Sequence, residues 1–225
     1  MTAPEVDRRL DGHDVEAAGL PDWRIMFYRL HARFETADLA AGARLVQAVA
    51  DLADGTAHRP EVDLAHDRVD VRLHSPDVGG VTRRDVELAR EVSAAAERLG
   101  ATARPERVSV LELAIDTPDW DEVRAFWQAV LDFEPDPFYD GTGGEVRDPD
   151  GTMPTIWPQA TDPHEPPRQR WHLDLRVPPE VAEDRVCRAI AAGGTLVSDA
   201  RAPAFWVLAD AQGNRACITT WRGRD

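Results

Sequence analysis

The sequence predicts an α+β protein in two parts: an N-terminal antiparallel four-stranded sheet with helices on one face, and a C-terminal pair of βαβββ modules. Three observations carry this. The chain has 225 residues, enough for two compact domains with separate cores. Its first hundred or so residues interleave short alternating segments with segments of helical period, in the order strand, strand, helix, strand, strand, helix. Past residue 107 one pattern occurs twice: Glu112 and His172 hold matching strand positions 60 residues apart, and the turn aspartates Asp148 and Asp210 are 62 apart.

The segment DWRIMFYRLHARFET is rich in aromatic and β-branched residues and reads as a strand pair that breaks near Leu30–His31. A helix follows in TADLAAGARLVQAVADLADG. There Leu39, Ala43, Val46, Val49 and Ala53 recur at helical spacing, Asp38 favours the N-terminal dipole, and Gly55 ends the run. EVDLAH and VDVRLHS each alternate over one short strand and join at Asp67–Arg68. TRRDVELAREVSAAAERLG opens on Thr82 with Asp85 three residues on, a capping-box pattern, and closes on Gly100. Residues 101–107, ATARPER, have no periodicity and contain Pro105, so the boundary is expected there, with domains at 1–102 and 107–225.

In the second part RVSVLELAID reads as a strand, DWDEVRAFWQAVLDF as an amphipathic helix and GGEVRDPDGTMPTIWPQ as a hairpin turning at DPDG. QRWHLDLRV, PPEVAEDRVCRAIAAGG and FWVLADAQGNRACITTW repeat strand, helix and hairpin, with proline near the helix start and glycine at its end.

Composition narrows the partners. Lys and Arg number 26 against 41 Asp and Glu, a formal charge of −15, which repels phosphate backbones and anionic lipid head groups. Nucleic acid and membrane surfaces are therefore not expected; a small-molecule ligand is. The chain shows no apolar signal-peptide core and no uncharged apolar run of bilayer length, so a cytoplasmic location is expected. Cys187 and Cys217 form neither a CxxC pair nor a disulfide framework, which suits a reducing compartment.

Three of the seven histidines, His58, His66 and His74, recur every eighth residue. His66 shares the parity of Val62 and Leu64 and reads as a partly buried packing residue. His74 falls on the polar face of its strand with Asp70 and Arg72, and His58 in the loop entering the preceding strand. These two either face a common cleft or are solvated. Six of the seven tryptophans lie in the second part; Trp157, Trp171 and Trp206 either stack a flat heteroaromatic ligand or fill the core.

Asp54, His58, Pro60, then VDVRLHS, then GGVTRRD ending at Asp85, with LPDW upstream, resemble the pterin-4a-carbinolamine dehydratase family over about residues 10–100. That family's motif has an acidic residue, three spacers, a His-His-Pro triplet, an aromatic, a third histidine and a closing aspartate. The resemblance implies that histidines expel the 4a-hydroxyl of a carbinolamine as acid and base. It casts His58 as the main acid and base and His74 as a second, while Arg59, Asp54, Pro60 and Asp85 hold substrate or histidine. The sequence departs from the motif at three places: the middle histidine is Arg59, the aromatic falls on His66, and the third histidine falls on Pro76. Arginine stays protonated and proline has no side-chain donor or acceptor, so proton transfer must rest on the remaining imidazoles. Relatives of this kind also imply a dimer or tetramer.

LELAIDTPDWDEVRAFWQAVLDFEP, RDPDGTMPTIWPQ, RWHLDLRV and LADAQGNRACITTW resemble the glyoxalase/bleomycin-resistance group, the vicinal oxygen chelate superfamily, over about residues 107–223. In that fold paired modules curl around a cleft, and metal-dependent members take a ligand from the first and last strand of each module. By position the resemblance implies Glu112, Gln159, His172 and Cys217 around a divalent cation. Glu and His suit a hard or borderline ion, whereas a cysteine is softer and must first lose its proton. Three functions stay open: a dehydratase, a metal-assisted lyase, isomerase or dioxygenase in the second part, and a non-catalytic ligand- or drug-binding protein.

Overall fold

The computed structural model describes residues 8–26, 28–56, 58–108, 110, 112–136, 144–163, 173–177, 179–220 and 222–223. It divides into two compact units, Met1–Val110 and Leu111–Asp225.

In the first unit, helix α1 (Gly12–Ala17) precedes strands β1 (Trp23–Met26) and β2 (Arg29–Glu35), helix α2 (Leu39–Ala53), strands β3 (Glu61–Ala65) and β4 (Arg68–Leu73), and helix α3 (Arg83–Arg98). The sheet runs β1-β2-β4-β3, all antiparallel, and a fifth strand, β5 (Thr102–Ala103), pairs with Phe34 and Glu35 of β2. Alternation along the strands separates two chemistries. Leu30, Ala32 and Phe34 of β2 and Val69, Val71 and Leu73 of β4 are buried with Leu45 and Val49 of α2 and Val86, Ala89, Val92 and Ala96 of α3. A side chain such as Phe34 contributes about 2–3 kcal/mol by leaving water.

The opposite face is an ion-pair lattice. Arg33 holds Asp70 through Nε and Nη2 at 2.6 and 2.8 Å, Arg29 Nη1 donates to both oxygens of Glu61, and Arg72 links Glu61 to Asp63.

Four details differ from the sequence reading. The first hairpin turns before Arg29, because Leu30 is needed in the core and pairs with Leu73. The buried face of α2 is Gly42, Leu45 and Val49, which leaves Leu39 half exposed at 50 %. His66 is exposed: it sits with Asp67 in the β3–β4 turn, where strand parity no longer applies. Residues 101–107 are structured, since Arg104 and Arg107 both pair with Glu35 and draw β5 and the 3-10 turn Pro105–Arg107 onto β2.

The second unit contains β6 (Glu112–Thr117), α4 (Trp120–Leu131), β7 (Glu134–Pro135), β8 (Val146–Arg147) and β9 (Thr155–Ala160), followed by β10 (Leu173–Arg176), α5 (Pro179–Ala191), β11 (Thr195–Arg201), β12 (Phe205–Ala209) and β13 (Arg215–Thr219). The sheet orders β6-β9-β8-β7 and β10-β13-β12-β11 are equivalent, and in each the first and last strands are parallel. The predicted duplication is thus present in the topology. Both turn aspartates fold back on their own hairpins: Asp148 accepts from the amides of Asp150, Thr152 and Met153, and Asp210 from those of Gln212 and Asn214. Burial alone would push the Asp148 carboxyl up, but these donors and the Thr152 hydroxyl hold it below its usual range. One hydrophobic core joins the halves, with Phe126, Trp127 and Ile156 from the first and Ala189, Leu208 and Ile218 from the second.

Gly194 closes the turn after α5. A Cβ there would overlap the buried Phe126 ring and lie 2.7 Å from the Ala189 carbonyl. Gly194→Ala is expected to lower stability by about 2–3 kcal/mol, read as a drop in the thermal midpoint of the second unit. An unchanged midpoint would show that the helix end adjusts freely. Among the described residues no helix is long and apolar enough to cross a membrane.

Candidate functional site

The candidate site of the first unit forms where three segments meet: the loop entering β3, the turn leaving β4 and the first turn of α3. His58 lies in the first, with its side chain 12 % exposed. Asp85 lies in the third and is fully buried. Their closest approach is 3.3 Å, from His58 Nδ1 to Asp85 Oδ1. Asp85 Oδ2 accepts from the Thr82 amide at 2.8 Å, the Thr82 hydroxyl at 3.1 Å and the Ser75 hydroxyl at 2.8 Å.

The SPDVGG turn provides Ser75. It closes through Ser75 N–H on the Gly80 carbonyl at 2.9 Å, and Gly79 takes φ +68°, a conformation open to glycine. Gly80 lies under Arg9: a Cβ there would meet the Arg9 side chain at 2.7 Å. Asp77, in the same turn, is held by Arg84 of α3 at 2.8 and 3.0 Å. That guanidinium keeps the Asp77 carboxyl below its usual range, with a smaller contribution from His58.

His74 has different surroundings. Leu73 and Ser75 point toward the helices, into the core and onto Asp85 respectively, so the residue between them has the opposite parity. His74 is buried, with 8 % exposed, and meets Tyr28 edge-on at 6.4 Å between ring centroids. Arg29 in turn covers the Tyr28 ring at 5.3 Å. Asp85 thus lies between His58 and Ser75, and His74 meets Tyr28. Asp54 and Arg59 are exposed and Pro60 is half-buried beside them.

In the second unit, Trp157 follows the core residue Ile156 on β9 and so lies on the face turned away from the core, half-buried. Trp206 is only 8 % exposed and packs in the core, paired across the sheet with Ile218. Trp171 and His172 lie outside the described residues, as do the side chains of Glu112 and Gln159.

The backbone register bears on the expected metal set. Glu112 stands opposite Thr155, whereas Gln159 stands opposite Asp116, four residues further along. Cys217 is buried on β13 opposite Asp174. Among the described residues no group of three His, Cys, Asp or Glu is placed to hold a metal.

Comparison with known proteins sorts the two units. Residues 2–95 match the family model for pterin 4 alpha carbinolamine dehydratase, and residues 112–219 match that for a glyoxalase-like domain. A Thermosynechococcus vestitus protein provisionally named pterin-4-alpha-carbinolamine dehydratase is 36 % identical over 87 residues, 38 % of this chain and 92 % of that protein. The chain belongs to the pterin-4a-carbinolamine dehydratase family. Among solved structures, a transcriptional coactivator/pterin dehydratase from Brucella melitensis is 28 % identical and is matched over 40 % of this chain and 99 % of that one, with a TM-score of 0.38. A glyoxalase/bleomycin resistance protein/dioxygenase family enzyme from Burkholderia phytofirmans PsJN is 20 % identical, matched over 48 % and 95 % of the two chains, with a TM-score of 0.40.

Within this dehydratase-family unit the residues that sequence reasoning missed are Ser75, Thr82, Asp77, Arg84 and Tyr28. Thr82 was legible only as a helix cap. Ser75 carried no sign of its role, because its contact with Asp85 depends on how the 75–80 turn closes.

Proposed function

We propose that the first unit acts on a 4a-hydroxytetrahydropterin or a similar bicyclic heteroaromatic, with His58 as the group that moves the proton. The contact between His58 and the buried Asp85 carries this reading. An imidazole with Nδ1 facing a carboxylate has its other nitrogen left for the ligand, in the arrangement that suits general acid–base work near neutral pH. In the dehydration the N5 proton and the 4a-hydroxyl leave together as water, a C4a–N5 double bond forms, and nothing is oxidised or reduced. His58 Nε2 takes the N5 proton and returns a proton to the departing hydroxyl. Arg59, exposed next to His58, is suited to hold a carbonyl oxygen of the bicycle but cannot share the proton transfer. His74, packed on Tyr28, serves as a wall residue in this scheme.

The test is turnover of a 4a-carbinolamine by the full chain. His58→Ala is expected to lower kcat by about 100-fold or more, and His74→Ala by much less. Equal rates for the wild-type chain and His58→Ala would overturn the reading.

A further inference from the structure

The two oxygens of Asp85 have unequal surroundings. Oδ2 is filled by three donors drawn from two segments, the Ser75 hydroxyl on the 75–80 turn and the Thr82 amide and hydroxyl at the start of α3. Oδ1 is buried without an aligned hydrogen bond, and His58 Nδ1 lies 3.3 Å from it. A carboxylate oxygen taken out of water costs free energy until a donor reaches it. The carboxylate cannot turn away to find one without leaving its donors on Oδ2. Ser75 itself is fixed: beyond the bond to Gly80, its carbonyl accepts from the Val78 and Gly79 amides at 3.1 and 3.0 Å. The two hydroxyls also touch each other, at 2.9 Å. Ser75 gives its proton to Asp85, and the single Thr82 hydroxyl proton is shared between Asp85 Oδ2 and the Ser75 oxygen.

We propose that Ser75 and Thr82 are positioning residues that act through Asp85 to hold neutral His58 in the Nδ1–H tautomer, leaving Nε2 unprotonated toward the ligand. This rests on the reading of His58 as the proton-moving group. Neither hydroxyl touches the ligand in this arrangement. Each limits which oxygen Asp85 turns to His58, and so which imidazole nitrogen carries the proton. Of the charged neighbours, Asp77 is paired with Arg84, and its carboxylate also feels the His58 charge.

The experiment is nitrogen-15 NMR of the imidazoles in the full-length chain at about pH 8.5, where an ordinary imidazole is neutral, with kcat and KM measured on the same samples. Wild-type His58 is expected to carry its proton on Nδ1. In Ser75→Ala and in Thr82→Val, which keeps the backbone amide, the Nε2–H form is expected to gain population and kcat to fall about tenfold with KM nearly unchanged. Ser75→Thr restores both. Two deletions are used so that one folded variant suffices. A His58 that stays on Nδ1–H in the folded deletion variants, or that is Nε2–H in the wild-type chain, overturns the proposal. A wild-type chain that shows the expected tautomers but no turnover supports the positioning and removes the dehydration.

Discussion

Asp85→Ala is expected to destabilise the first unit by about 3–5 kcal/mol. The carboxylate has no exposed surface, and removing it leaves two hydroxyls and one amide without their acceptor in a site closed to water. Each such group costs about 1–3 kcal/mol when buried and unsatisfied. The two hydroxyls can still bond to each other, which keeps the total toward the lower end. The loss is read from denaturant unfolding followed through amide exchange in α3, which starts beside the lesion. Asp85→Asn, of equal volume, keeps one acceptor oxygen and is expected to lose about half as much. A cost below about 1 kcal/mol for the alanine variant would mean that the three donors find other acceptors and that Asp85 is no keystone of the site.

The second large effect concerns acid. His31 lies on the open face of the sheet between Arg24 of β1 and Arg72 of β4. Burial, helped by the Arg72 and Arg29 guanidiniums, lowers its pKa from 6.5 to about 4. A depressed imidazole pKa means that, as pH falls below 6.5, the unfolded chain takes up a proton that the folded chain refuses. Stability is therefore expected to fall between pH 6.5 and about 4 and to level off below, with a loss from this residue of about 2–3 kcal/mol. His31→Gln removes the titration, so its stability should change less across that window. Equal acid sensitivity in both proteins would show that His31 protonates freely in the folded state. The neighbouring Asp70 adds a loss of the same sign at lower pH: burial raises its carboxyl, but Arg33 and Arg68 outweigh this and hold it below its usual range.

Periodicity made much of the architecture readable because the relevant information is local. Alternation marked β3 and β4, helical spacing marked α2 and α4, and the 60-residue offset marked the duplication. The errors fall where tertiary context decides. Leu39 has the right spacing for the core but lies at the end of α2, beyond the reach of the sheet. β11, TLVSDAR, is an edge strand with mostly exposed residues on both faces, so no alternation reveals it. At the site, His58 and Asp85 were legible as matches to a motif. The edge-on contact of His74 with Tyr28 was not, because it depends on how β2 pairs with β4. Trp206 was ambiguous because a core indole and a ligand-stacking indole look alike in sequence.

The shared core of the second unit limits how its halves can exist. Trp127 on α4 of the first half donates its indole N–H to Asp210, the turn aspartate of the second, at 3.2 Å. Phe126 likewise closes over Gly194 across the pseudo-symmetric join. Neither repeat thus owns a complete hydrophobic interior, and melting one strips the other of its lid. Cut apart, a lone repeat would bare one side of its α4 or α5 packing surface and bury it only by docking against a second molecule with the same shape.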